Sequence, residues 1–328
     1  MEYRTLGASG FQVSPICLGT MTFGNPVPEA DAVRLVHETM DLGVNFIDTA
    51  DSYEGYDRVL GSAGGVSEQI LGKALKGRRD RAVVATKVCA PTGKGPMDKG
   101  LSAVHIHDNL ERSLRLLQTD YIDLYIIHWP DKLTPLEITL EAIERAVRQG
   151  KVRSFGASNH SDAQLCELLW IADRRGWPRV VASQIPFSLL QRNFQNELAF
   201  CARHDIAVTP YQPLQAGLLT GKYRRGQAPP DDSRAAENPS WLKLKDEMFD
   251  RLEALGELAN EIGASMTQYA LAWVLAQEAM ASVVVGSKRI EQVKDAVGAC
   301  ELTIPSEHYA RIDEMCPPPW KQADPIRG

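Results

Sequence analysis

The chain has no Gly-x-Gly-x-x-Gly run after an apolar, strand-like segment, so a Rossmann-type dinucleotide site is unsupported and phosphate binding must come from elsewhere. It has no Cys-x-x-Cys pair. Its six cysteines, Cys17, Cys89, Cys166, Cys201, Cys300 and Cys316, lie far apart, which removes the zinc-ribbon and dithiol readings and leaves free, mostly buried thiols as the expectation. It has no basic excess either: 36 Lys and Arg stand against 42 Asp and Glu, a net charge of -6. That balance provides no footprint for phosphate backbones or anionic lipid. Nowhere do ~18 apolar residues run together, and the opening Met1-Glu2-Tyr3-Arg4 lacks the apolar core of a signal peptide. The expectation is a cytoplasmic protein with a small-molecule partner, binding neither nucleic acid nor membrane.

What is present is a repeating order of strand and helix. With 328 residues and 44% apolar content, the chain is long enough for one large core. After a hairpin-like opening at residues 3–13, with a turn near Ala8-Ser9-Gly10, short apolar runs suggest strands at 16–18, 44–47, 82–85, 124–127, 154–157, 180–183, 207–210 and 282–285. Between them lie segments with apolar residues three and four apart, at 30–42, 67–75, 107–117, 136–148, 162–174 and 196–204, the pattern of crossover helices. Two more helices are expected near 246–262 and 267–277, after a stretch at 213–243 rich in Gly, Pro, Asp and Arg with no clear period. A long aperiodic stretch in a compact domain is usually a functional loop or a disordered one. Eight strands with intervening helices and no polar linker favour a single α/β domain over residues 1–328, a (β/α)8 TIM barrel with an N-terminal β-hairpin and long rim loops.

Barrels of this kind carry their chemistry where the strands end. Here nearly every apolar run stops on a polar or glycine residue: Gly19-Thr20, Asp48, Lys87, His128, Ser158-Asn159, Gln184, Tyr211-Gln212 and Gly286-Ser287. Any one of these alone is more often a satisfied loop residue than a catalyst. Their convergence is what matters, because an acid, a lysine and a histidine from strands two, three and four, joined by Tyr53, face a common rim.

The run Gly43-Val44-Asn45-Phe46-Ile47-Asp48-Thr49-Ala50-Asp51-Ser52-Tyr53, followed by Ser67-Glu68-Gln69-Ile70-Leu71-Gly72, resembles the signature of the aldo-keto reductase family. Val84-Ala85-Thr86-Lys87, His128-Trp129-Pro130, Gly150-Lys151-Val152-Arg153 and Gly217-Leu218-Leu219-Thr220-Gly221-Lys222-Tyr223 agree with it, in order, from about residue 3 to residue 312. The resemblance implies an oxidoreductase that uses NADPH/NADP+ to reduce an aldehyde or ketone, with Asp48, Tyr53, Lys87 and His128 as the catalytic tetrad. A carbonyl that accepts hydride builds charge on its oxygen, and donors placed there stabilise the transition state. Tyr53 suits that role, with the Lys87 ammonium expected to favour the phenolate and bring the phenol closer to neutral pH, and with Asp48 holding Lys87. It implies that Ser158, Asn159 and Gln184 hold the nicotinamide carboxamide and that Tyr211 stacks on the ring. Gly19, Thr20, Met21, Asp48 and Gln212 are expected to border the cofactor. Pro213, Leu214, Gly217, Leu218, Gly221 and Lys222 are expected to close over its pyrophosphate.

Gly286 and Ser287 lead into Lys288 and Arg289 at a helix start. Cations there oppose the helix dipole, whereas an anion is favoured, so a bound 2′-phosphate resolves the conflict and argues for NADPH over NADH. Gln292 is expected on the ribose or adenine side. The family often has an asparagine near the end of this stretch, where this chain reads Asp295-Ala296; residues 54–66 form a longer link than usual, and Gln212 replaces a frequent serine. His105 and His107 are two apart on an expected helix, where they point to different sides, so no metal site is expected. Two other functions stay open: an NAD-preferring dehydrogenase of sugars or secondary alcohols, and a cofactor-sensing regulatory module resembling the potassium-channel β-subunits. Substrate identity and oligomeric state are not legible.

Overall fold

The computed structural model describes residues 1–237 and 244–321. Residues 238–243, the last part of the aperiodic stretch, lie outside the described residues. Two short antiparallel strands, β1 (Arg4–Thr5) and β2 (Gln12–Val13), form the opening hairpin. Eight parallel strands follow: β3 (Ile16–Gly19), β4 (Phe46–Asp48), β5 (Val83–Val88), β6 (Ile122–Ile127), β7 (Val152–Ser158), β8 (Ala182–Gln184), β9 (Ala207–Val208) and β10 (Val283–Gly286). They pair in the order β10-β3-β4-β5-β6-β7-β8-β9. Backbone bonds from Val208 N to Ala279 O (2.7 Å), Ala281 N to Val208 O (3.0 Å) and Val284 N to Pro210 O (2.9 Å) join the two ends. The sheet is thereby a closed (β/α)8 barrel, with helices on its outer face.

Successive strand side chains point to opposite faces, and the two faces pack differently. Cys17, Phe46, Ala85, Leu124, Ala182 and Val284 form a compact inner cluster. Their neighbours in sequence, such as Leu18, Ile47, Val84 and Tyr125, belong to the larger cluster between strands and helices. Leu6 and Val13 of the hairpin join the inner cluster and are fully buried, so the hairpin stops the N-terminal mouth. Gly7 permits that seat. Its φ is +50°, and a Cβ there would lie 2.2 Å from Val181 O.

Most expected helices are present within a few residues. The helix expected at 107–117 begins earlier, at Ala103, because the Ser102 side chain accepts from His105 N and caps its first turn. Ser161 and Gln164 form a reciprocal cap at the start of Asp162–Arg175, and Gly176 ends that helix with φ +64°. Within the aperiodic stretch, a tight turn at Gln215–Thr220 and a short helix at Arg234–Glu237 add order that periodicity does not reveal. The turn depends on left-handed backbone at Ala216 and Gly217, so no face repeats for a pattern to register.

Candidate active site

The inner face that is apolar through the barrel turns polar at the C-terminal ends of its strands. Phe46 is followed two residues on by Asp48, Ala85 by Lys87, Ile126 by His128 and Ala182 by Gln184. Period-two alternation therefore aims all four side chains at one axis. Asp48 and Lys87 are 2% and 0% exposed, a depth at which an unpaired charge is untenable. They are paired: Lys87 Nζ donates to Asp48 Oδ2 at 2.6 Å, to Thr49 O at 2.8 Å and to the Tyr53 hydroxyl at 3.2 Å. Three acceptors use the three protons of the ammonium. The other carboxylate oxygen, Asp48 Oδ1, accepts from Gln184 Nε2 at 2.8 Å.

The backbone beneath this pair is latched by hydroxyls. Thr20 donates from both N and Oγ1 to Asp48 O, each at 2.9 Å, and Ser67 Oγ donates to Thr20 Oγ1 at 2.6 Å. Thr20 is fully buried, and these bonds tie its backbone N–H and hydroxyl to its protein neighbours. His128 stands edge-on to Tyr53, with ring centres 6.1 Å apart, and stacks on Trp129 at 3.7 Å. The four tetrad residues are therefore together at one end of the barrel.

Each charge state has a physical cause. Burial alone would pull the Lys87 ammonium down, but Asp48 and the Tyr53 oxygen overcome it and hold Lys87 above its ordinary pKa. For Tyr53 the balance runs the other way. Burial raises the phenol above its ordinary value, Lys87 pulls it back without winning, and Asp48 adds to the rise. This corrects the expectation of a phenol brought toward neutral pH: Lys87 acts in the expected direction, but desolvation is the larger effect. Burial, then the positive charges of Lys87 and Arg58, drive His128 well below its ordinary pKa, and its Nδ1 is buried without a hydrogen-bond partner. At neutral pH the site thus holds a protonated phenol, a charged lysine and a neutral imidazole.

The residues assigned to the nicotinamide form a chain beside the tetrad. Tyr211 OH donates to Asn159 Oδ1 at 2.8 Å, Asn159 Nδ2 donates to Ser158 Oγ and His128 O at 3.0 Å, and Ser158 Oγ donates to Gln184 O at 2.8 Å. Asn159 has φ +61°, a left-handed turn that brings its amide back over the strand end. Gly19 ends β3, where a Cβ would sit 2.9 Å from Val284 Cγ1, and Met21 just beyond is partly exposed. Gln212 is exposed, Pro213 is buried, and Leu214, Gly217, Leu218 and Lys222 are half-buried, with Gly221 exposed. A Cβ on Gly217 would meet Lys222 Cε at 2.7 Å, so the turn brings these two assigned residues together.

Beyond β10, Gly286 is exposed and Ser287 is buried, its Oγ without a hydrogen-bond partner. Gln292 uses its side-chain carbonyl within the helix, accepting from Lys288 N at 2.7 Å. Lys288 Nζ donates to Asp232 O at 3.1 Å, and Arg289 pairs with the Asp232 carboxylate at 2.8 Å. His105 is buried and His107 exposed on their helix, facing apart.

Sequence reasoning missed three features. The first is the Gln184 bond to Asp48. The second is the hydroxyl latch of Thr20 and Ser67. The third is a pair of fully buried acids, Asp51 and Glu68, both pushed up chiefly by burial; Glu68 accepts from Thr86 Oγ1 at 2.6 Å, while neither Asp51 oxygen has a hydrogen-bond partner. The Ser67-Glu68 pair was visible in the signature run, but nothing in spacing marks it as buried.

Comparison with known proteins gives the family to which this barrel and its rim belong. The model of the Aldo/keto reductase family matches residues 15–316. The chain belongs to the aldo-keto reductase family. It is 37% identical over 327 residues, 97% of both chains, to a Bacillus subtilis (strain 168) protein described as "Uncharacterized oxidoreductase YrpG". It is 34% identical over 311 residues, 92% of both chains, to a "Probable voltage-gated potassium channel subunit beta" of Oryza sativa subsp. japonica. It is 32% identical over 340 residues to "Protein tas" of Escherichia coli (strain K12), covering 96% of this chain and 97% of the relative.

The depressed His128 pKa has a consequence for stability. Below the unfolded value of about 6.5, the unfolded chain binds a proton that the folded chain refuses, so stability falls as pH drops. Above that value the residue contributes nothing to the slope. Urea unfolding of wild type and His128→Gln between pH 5 and pH 8 should give a shallower acid-side loss in the variant. Parallel stability curves across that range would mean that His128 titrates normally in the folded protein.

Proposed function

We propose that the protein is an NADPH-dependent carbonyl reductase in which Tyr53 delivers the proton. The observation that carries this reading is the single ammonium, Lys87, bonded at once to a buried carboxylate and to the Tyr53 hydroxyl, beside a neutral imidazole. When bound, the nicotinamide supplies a hydride to the carbonyl carbon. The chain's own residues do the rest. Tyr53 gives its hydroxyl proton to the carbonyl oxygen, and the nearby Lys87 charge stabilises the phenolate left behind. Burial keeps the phenol protonated at neutral pH, so the proton is in place before reaction. His128, uncharged, is available to orient the carbonyl oxygen by hydrogen bonding.

Several features support the cofactor reading. Ser158, Asn159, Gln184 and Tyr211 present amide, hydroxyl and aromatic groups beside the tetrad. Ser287 offers a buried hydroxyl with no hydrogen-bond partner where a helix begins, next to Lys288 and Arg289. Arg289 already faces a carboxylate, that of Asp232, which is consistent with a position that calls for an anion. The turn at Gln215–Thr220, which sets Gly217 beside Lys222, supports the reading of this segment as a strap over the pyrophosphate. We place the protein in the cytoplasm on the same terms; among the described residues no helix is long and apolar enough to cross a membrane.

A regulatory reading is favoured by one observation, the similarity over 92% of the chain to the rice protein named as a potassium channel subunit. Rapid turnover with cofactor release argues for the enzyme. Tightly retained cofactor with negligible turnover argues for the module.

Replacing Tyr53 with Phe should leave NADPH binding, read by fluorescence quenching, close to wild type. Reduction of a generic aldehyde should fall at least ~100-fold, the lower end of general-acid catalysis. A variant that turns over at near-normal rate removes Tyr53 from the role of acid. Replacing Lys288 and Arg289 with Ala should weaken NADPH relative to NADH by about 1 to 3 kcal/mol per charge-assisted bond lost. Equal weakening of both cofactors moves the 2′-phosphate elsewhere and reopens the NAD-preferring alternative.

A further inference from the structure

The segment between Tyr53 and the helix Val66–Ala74 carries a guanidinium that the tetrad chemistry does not use. Arg58 Nη2 donates to Pro91 O at 2.8 Å, which fastens the loop after β4, where Tyr53 lies, to the loop after β5, the strand that bears Lys87. Its Nε is buried with no hydrogen-bond partner. Among the described residues no carboxylate lies within ion-pair distance of Arg58. The acids nearest in sequence are engaged elsewhere: Asp57 accepts from Asn25, and Glu54 from Ser62. Asp51 is fully buried; burial and then Glu68 hold its carboxyl well above the ordinary carboxylate range, outweighing the Arg112 and Arg58 charges that draw it down. Asp131 accepts instead from Leu101 N, Leu133 N and Thr134 Oγ1.

A half-buried guanidinium with no carboxylate at ion-pair distance is stabilised when an anion arrives to pair with its outer nitrogens. Arg58 is close enough to the catalytic end for its charge to lower the His128 pKa. The loops around it expose apolar side chains among their charged ones: Met21, Val59, Leu60, Met97, Trp129 and Leu133 are exposed, all on the loops that follow β3, β4, β5 and β6. The cofactor-side cations Lys288 and Arg289 follow β10 instead.

We infer that Arg58 receives a carboxylate of the substrate, so that the protein prefers carbonyl compounds with an anionic group on an apolar body. This rests on the carbonyl-reductase reading of the same site. A planar carboxylate matches the fork of a guanidinium, and each charge-assisted bond in a partly dry site contributes about 10- to 100-fold in selectivity. The apolar rim takes the body of the molecule, and Arg58 selects against its neutral analogue. A substrate that is all hydroxyls, such as a sugar, meets neither feature.

The test compares kcat/KM for 4-carboxybenzaldehyde and its neutral counterpart 4-formylbenzamide, with NADPH. Wild type should favour the carboxylate by about tenfold or more. In Arg58→Met the ratio should fall toward one, while Arg58→Lys should keep part of it; NADPH quenching in each variant reports that the fold and cofactor site persist. A ratio near one in wild type, or an unchanged ratio in Arg58→Met, overturns the assignment. If neither aldehyde is reduced, the carbonyl-reductase reading fails by itself. The Arg58 assignment is then read by calorimetry with NADP+ present: 4-carboxybenzyl alcohol should bind wild type at least about tenfold more tightly than Arg58→Met, and equal or undetectable binding in both contradicts it.

Discussion

The ion pair between Lys87 and Asp48 is the constraint around which the catalytic end is built. Two opposite charges lie at the ends of adjacent strands, almost wholly out of water. Burial on that scale is tolerated only when every lone pair and proton finds a partner, and removing one member of such a pair costs about 3 to 5 kcal/mol. The surrounding residues meet that demand. Gln184 answers the second Asp48 oxygen, Thr49 O takes the second Lys87 proton, and Tyr53 takes the third. Tyr53 is thus held in place by the requirement to satisfy an ammonium. On the proposed reading Lys87 acts through Tyr53, as a positioning residue.

The same desolvation that makes the pair rigid sets the protonation states. It outweighs Lys87 at Tyr53, so the phenol keeps its proton, and it combines with Lys87 at His128, so the imidazole stays neutral. A donor acid and an uncharged hydrogen-bonding ring are what a carbonyl becoming an alcohol requires. A fold of alternating strand faces makes this possible. Inner residues two apart change from Phe46 to Asp48 and from Ala85 to Lys87, so an apolar core and a charged site share one surface.

Much of this was legible in the sequence because it follows from periodicity. The eight strand runs and their crossover helices could be read from apolar spacing, and Asp48, Lys87, His128 and Gln184 from where those runs stop. Tyr53 lies on no strand and was reached through the family's signature. What could not be read depends on contacts distant in sequence. Gln184 bonds Asp48 across 136 residues, and Thr20 is latched by Ser67 across 47. Gln292, expected near the ribose, accepts from Lys288 N just before its helix, a local bond that competes with ligand contact. The sign of the Tyr53 shift was also hidden, because composition reveals a neighbouring charge but not the depth at which it sits.

The central claim, that Lys87 works through Tyr53, is tested most directly by a double-mutant cycle on single-turnover aldehyde reduction, followed by nicotinamide absorbance over a range of pH. Lys87→Met, Tyr53→Phe and the double variant should each bind NADPH. If the two residues act as one unit, the double variant should be hardly slower than the slower single, and Lys87→Met should alter the pH profile that Tyr53 gives the wild type. Losses that multiply across the two sites, with the pH profile of Lys87→Met unchanged, would contradict the account.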